Sequence, residues 1–172
     1  MKKANIVKLV SRGGLLTATA VLLQAAPVFL PAIGMAISPF STLPIALAAG
    51  LNIYLGISVL LSSVLILMIV SPQEAVILLF TTGLLGAVLG ALSYRKGIVV
   101  SIIAAAISLT TGILALTYII AIPAFKGLAD SFSLPVIILM YFIFSLVYVS
   151  IWNIFLRKIA NHMKKTKVMD SE

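Results

Sequence analysis

Side chains able to do acid, base or metal chemistry are scarce in this chain: four Asp and Glu, one His and no Cys among 172 residues. Without cysteine there is no thiolate nucleophile, no thiolate metal site and no disulfide framework, and the single histidine, His162, lies in a basic tail. Glu74, Asp130, Asp170 and Glu172 stand at the edges of long apolar runs or in that tail. The sequence therefore predicts no carboxylate at a bilayer midplane, where proton- or sodium-coupled carriers commonly keep one. It also offers no general acid, base or nucleophilic dyad inside the apolar runs, so the reading is of a protein that is not an enzyme and holds no cofactor or metal.

What remains is hydrogen-bonding chemistry. Gln24, Thr42, Glu74, Thr81 and Thr82, with Thr117, Tyr118, Lys126, Asp130 and Tyr141 further on, supply an amide, hydroxyls, aromatic rings and both signs of charge. Such a set suits a pocket for a small polar or heteroaromatic ligand, provided the fold brings it to one end of the molecule. Each member also has a structural reading. Hydroxyls within helices commonly bond their own backbone, and loop charges are commonly just solvated.

The elements that would position these residues are membrane spans. At 62% hydrophobic and 9% charged, the chain lacks the polar surface to cover a water-soluble globule. Charge is absent from Gly13 to Gln73, from Ala75 to Tyr94, from Gly97 to Phe125 and from Ser131 to Leu156. A spanning helix takes about 20 residues, so the last three runs supply one span each and the first is long enough for three. Pro27, Pro31, Pro39 and Pro44 interrupt that first run, which predicts an external loop over roughly 31–43. The stretch 44–70 then reads as one tilted helix or two short ones.

Cations decide the count. Lys2, Lys3, Lys8 and Arg12 lie at the start, Arg95 and Lys96 in the middle, and Arg157, Lys158, Lys164, Lys165 and Lys167 at the end; only Lys126 stands apart. Lys and Arg collect in cytoplasmic loops because carrying them across the bilayer is unfavourable. Five spans would put the two basic termini on opposite sides, whereas six put all three patches in the cytosol. The expected fold is an all-α integral membrane protein, a bundle of six transmembrane helices with cytoplasmic N- and C-termini, in one domain over 1–172. The expected spans are 11–30, 43–52, 54–70, 74–94, 98–122 and 133–159, the second short or broken and dependent on protein or a polar cavity around its ends. Residues 1–10 and 160–172 form basic flanks. With a net charge of +8 and cations gathered at span ends, the natural partner is an anionic bilayer and not nucleic acid. The N-terminus has the outline of a secretory signal, but Gln24 and Ala26 do not form a small-x-small cleavage site and Pro27 follows directly, so it is read as the first span.

Small residues define packing faces. Gly83, Gly86 and Gly90 in the fourth span and Ala104, Ser108, Gly112 and Ala115 in the fifth recur at helical spacing, which allows close backbone approach and predicts packing within the bundle. Gly14, Ala18 and Ala25 in the first span offer a similar face, which packs within the bundle or docks on another subunit.

The basic start running into Gly14-Leu15-Leu16-Thr17-Ala18-Thr19-Ala20, the proline-rich Ser38-Pro39-Phe40-Ser41-Thr42-Leu43-Pro44, and Thr82-Gly83-Leu84-Leu85-Gly86-Ala87-Val88-Leu89-Gly90 before a basic turn resemble the substrate-binding S component of an energy-coupling factor (ECF) vitamin transporter. The resemblance implies a subunit of a bacterial plasma membrane that captures a vitamin-like small molecule from outside. It implies partners as well, an ECF coupling subunit and cytosolic ATPases, with Gly14 and Ala18 at the docking face. Leu22 takes the next position at that spacing, a departure from the small-residue pattern of the family. Ligand binding would then order the 31–44 loop. The rival reading is a non-catalytic membrane scaffold or assembly protein of the cell envelope, resembling the rod-shape protein family, in which the small-residue faces bind other proteins.

Overall fold

The computed structural model describes residues 2–93, 96–120, 127 and 131–169, with side chains described from 7 to 159 within those ranges. It is helical throughout the described elements. In chain order these are α1 (Lys2–Phe29), α2 (Pro31–Ile37), a 3-10 helix (Ser38–Ser41), α3 (Thr42–Leu51), α4 (Ile53–Val70), α5 (Pro72–Phe80), α6 (Thr82–Ser93), α7 (Ile98–Tyr118) and α8 (Leu134–Met169). Six stretches among the described residues are long and apolar enough to cross a membrane: Val7–Phe29, Pro31–Leu51, Ile53–Val70, Pro72–Ser93, Ile98–Tyr118 and Leu134–Ile159.

The outward faces are apolar. Leu61, Leu65 and Ile69 on α4 and Leu139, Ile143, Val147 and Ile151 on α8 are exposed at four-residue spacing, a stripe that lipid would cover and water would not tolerate. Six such helices suit a multi-pass membrane protein.

The expected break within 44–70 is present. α3 ends at Leu51, and Asn52, extended at φ −156°, caps α4 by accepting the Tyr54 backbone N–H at 2.8 Å. The expected loop is not. Residues 31–43 continue the second span upward from α3, so that span is 21 residues long and crosses without being short. The reason is where the prolines fall. Pro31 opens α2, Pro39 lies in the first turn of the 3-10 helix and Pro44 in the first turn of α3, positions at which a missing N–H breaks no helical bond. These three prolines restart helices and do not end them, while Pro27 lies inside the last turn of α1. The second span is broken, as expected, but at its centre.

The fourth span has a break of its own at Thr81 (φ −118°, ψ −93°), between α5 and α6. The others run close to expectation, with α7 ending at Tyr118 and α8 running on beyond the apolar part to Met169.

α3 is the wall between two apolar clusters. Ile45 and Ala48 face Ala20 and Ala25 of α1, Val59 and Leu67 of α4 and Leu78 of α5, whereas Ala46 faces Leu85 and Leu89 of α6 and the Leu109, Tyr141 and Trp152 side of α7 and α8. Helices α3 and α6 approach closely because α6 presents glycine. A Cβ on Gly86 would lie 2.7 Å from the Thr42 carbonyl oxygen, and one on Gly90 would strike the Ala46 carbonyl. Gly112 of α7 likewise abuts the Phe80 carbonyl, so the small faces of the fourth and fifth spans are used inside the bundle.

Contacts also fix the ends. Gly13 lies against Leu55, Gly90 against Ala46 and Ala49, and Asn153 against Ser93, which gathers the start of α1, the α3–α4 turn, the end of α6 and the far part of α8 at one end of the bundle. Gly34 against Ala26, Gln24 against Glu74 and Thr117 against Tyr141 mark the half toward the other end.

Candidate functional site

The two broken spans meet on Gln24. Ser41 is the last residue of the 3-10 helix and Thr82 the first of α6, so each helix break turns a hydroxyl toward α1. Ser41 Oγ donates to Gln24 Oε1 at 2.8 Å, Thr82 Oγ1 donates to the same oxygen at 3.0 Å, and the two hydroxyl oxygens are 3.1 Å apart. Gln24 and Ser41 are wholly buried and Thr82 nearly so. A buried amide without partners is costly, so this triangle of oxygens holds three spans in register.

The other side of the amide reaches a carboxylate. Gln24 Nε2 donates to Glu74 Oε2 at 2.7 Å. Ser71-Pro72-Gln73-Glu74 has the spacing of a capping box, and Ser71 Oγ does accept the Glu74 backbone N–H, at 3.4 Å. In a closed box the Glu side chain would return to the Ser71 N–H. Here that N–H bonds to the Leu67 carbonyl at 2.7 Å, continuing α4, and the carboxylate is released to face Gln24. Glu74 is half-buried. Among the described residues its Oε1 accepts no hydrogen bond and no cation pairs with it.

The remaining sequence-derived candidates divide. Thr117 donates to the Ile113 carbonyl at 2.8 Å and lies 3.4 Å from the Tyr141 hydroxyl, joining α7 to α8 in the second apolar cluster. Thr81 donates to the Ile77 carbonyl at 2.6 Å, a bond to its own helix at the break. Thr42 is buried and its Oγ1 has no partner. Tyr118 is exposed at the end of α7. Lys126 and Asp130 lie outside the described residues. The structure thus unites Gln24, Glu74 and Thr82 and adds Ser41, while Thr117 and Tyr141 form a separate contact. Thr81, Thr82 and Thr42, expected toward the outer ends of helices, sit instead around the middle of their spans. Ser41 is visible in sequence as a hydroxyl on the outer side, but Ser38–Pro44 reads as loop, and its bond to Gln24 appears only once the helices on either side stack.

Gly14 and Ala18 are both exposed on α1, beside Leu15 and Leu22. A Cβ added to Gly14 meets nothing within 4 Å, so this small-residue face is used by no other helix of the described chain.

A second polar group occupies the basic end. Asn153 Nδ2 donates to Ser93 Oγ at 3.3 Å and its Oδ1 accepts from Arg157 Nε at 2.8 Å. Trp152 beside it meets Phe40 edge-on at 5.7 Å and Phe155 at 5.6 Å.

Chemically, the Gln24 site offers one amide, two hydroxyls and one carboxylate, groups that bind and orient through hydrogen bonds. Comparison with protein-family models, with curated proteins and with solved structures finds no match for this chain.

Proposed function

We propose that this protein is a membrane subunit that binds a vitamin-like small polar solute in the half of its bundle away from the basic end, for uptake driven by a separate ATP-dependent coupling module. The observation that carries the reading is the convergence of two broken spans on Gln24, with the free Oε1 of Glu74 beside it. Discontinuous helices are tolerated where their ends surround a polar site, and such sites are where membrane carriers hold their ligands. Glu74 supplies the charge that attracts a ligand with a hydrogen-bond donor or a cationic ring, and Gln24 orients it.

In this reading the basic end faces the cytosol of a bacterial plasma membrane and the Glu74 end faces outside. The element that responds to ligand is the 3-10 turn Ser38–Ser41, since its final hydroxyl is part of the site. The exposed Gly14 and Ala18 face receives the coupling subunit, which in turn carries the cytosolic ATPases. Binding without pumping is the division of labour that fits a chain with no dyad for ATP chemistry.

Thermal-shift measurements on the purified protein against water-soluble vitamins test this. At least one compound raises the melting temperature of the wild type, and Glu74→Gln and Thr82→Val reduce that rise. No stabilisation by any compound overturns the proposal. Copurification with cell-wall or division proteins, and not with ATPases, would assign the chain to envelope scaffolding.

A further inference from the structure

Arg157 is held in an unusual state for a surface cation. Its Nε is fixed by Asn153 Oδ1 at 2.8 Å, and Asn153, only 1% exposed, is itself anchored to Ser93 of α6. The guanidinium is therefore oriented by a buried amide and does not wander as a lysine would. Its Nη2 is buried with no acceptor, and among the described residues Nη1 makes no hydrogen bond either. No carboxylate among the described residues faces it; Glu74 is in the opposite half of the bundle. An arginine that has lost water from one nitrogen and gained no anion is an incomplete pair.

The level of this group in the bundle points to what completes it. Arg157 lies close to the end of the apolar stretch Leu134–Ile159, where a phospholipid places its phosphate. Trp152 and Tyr148 lie on the same helix further in, with ring centroids 6.4 Å apart, and Trp152 packs in the core against Phe40 and Phe155. Lys158 is the next residue, and exposed Lys96 follows closely after Ser93 in the chain, so the surrounding field favours an anion. The end edge of the guanidinium, Nη1 with Nη2, matches two oxygens of a phosphate.

We propose that Arg157, oriented by Asn153 and Ser93, is a specific binding site for a phosphate oxyanion at the basic end of α6 and α8. The oxyanion meets Nη1 first, and a small rotation of the side chain brings Nη2 onto a second oxygen. This site is separate from the Gln24 cluster and does not depend on the solute that cluster binds.

Native mass spectrometry of the full-length protein, with phosphatidylglycerol, phosphatidylcholine, or inorganic phosphate as the probe, decides the matter. Wild type retains phosphatidylglycerol over phosphatidylcholine, and Arg157→Gln weakens that binding by roughly ten- to a hundredfold, the range for losing a charge-assisted bond. Arg157→Lys, which keeps the charge and threatens the fold less, weakens it by about tenfold because the fork is lost. Lys158→Gln changes it by less than about twofold. Binding of phosphatidylglycerol alone identifies a lipid headgroup as the source of the oxyanion, and equal binding of inorganic phosphate identifies a soluble one; both support the site. Wild-type affinity in Arg157→Gln or Arg157→Lys, or an equal loss in Lys158→Gln, shows only diffuse attraction to a basic surface and overturns it. Failure of wild type to bind any of the three probes overturns it too.

Discussion

Replacing Gln24 by Leu removes a buried amide at nearly constant volume, so the loss of stability reads polar contacts and not a cavity. Gln24 is 0% exposed and makes bonds of 2.7, 2.8 and 3.0 Å to Glu74, Ser41 and Thr82. Hydrogen bonds between membrane helices average about 0.6 kcal/mol and reach about 1.7. Three average bonds come to about 2 kcal/mol. The residual penalty is small, because Ser41 and Thr82 stay 3.1 Å apart and can bond each other, and half-buried Glu74 can turn toward water. Gln24→Leu is expected to lower unfolding free energy by about 2 kcal/mol in a reversible mixed-micelle titration. A double-mutant cycle with Thr82→Val should show a coupling of about 0.6 kcal/mol. A loss under about 0.5 kcal/mol, or strict additivity in the cycle, would refute the view that this triangle joins the two helix breaks to α1.

Two further outcomes test the packing and the topology. Gly90→Leu drives a side chain into the Ala46 carbonyl and Ala49 and should cost about 1–3 kcal/mol or prevent folding, whereas Gly14→Leu, with open space around it, should stay within about 0.5 kcal/mol of wild type in the same titration; under the proposed function Gly14→Leu also abolishes copurification of the coupling subunit. Because the chain has no cysteine, a single one at Gln73 or Lys96, both exposed, reports sidedness. A membrane-impermeant maleimide added to intact cells should label Gln73→Cys and spare Lys96→Cys, and the reverse pattern would contradict the inside placement of the basic end.

Hydropathy and charge placed most of the architecture, since a bilayer leaves few solutions for a chain with charge-free runs of this length. The break within 44–70 was legible because cation parity asked for two helices there, and α4 begins at Ile53, one residue before the expected 54. The 31–43 stretch was misread for a specific reason. Proline's effect depends on whether it falls in the first turn of a helix or further in, and the register of Pro31, Pro39 and Pro44 becomes visible only once the helices are laid end to end.

Candidate site residues divide in the same way. Gln24, Glu74 and Thr82 could be singled out by type, as polar groups in or beside apolar runs. That Thr82 bonds Gln24 while neighbouring Thr81 bonds its own helix depends on the break between them. Glu74 shows the same limit, because its bond to Gln24 depends on the Ser71 N–H continuing α4 and leaving the carboxylate free of a local cap.

Composition and charge spacing by themselves pointed to an all-helical chain, to six helices long and apolar enough to cross a membrane and to which ends lie together, because those follow from the lengths of whole apolar segments. Tertiary structure alone decided which hydroxyls meet one amide, which small-residue face stays uncovered among the described helices and which arginine a buried amide orients. Those depend on directions of individual side chains across helix pairs, and a hydrogen bond is lost over a displacement much smaller than one helical turn.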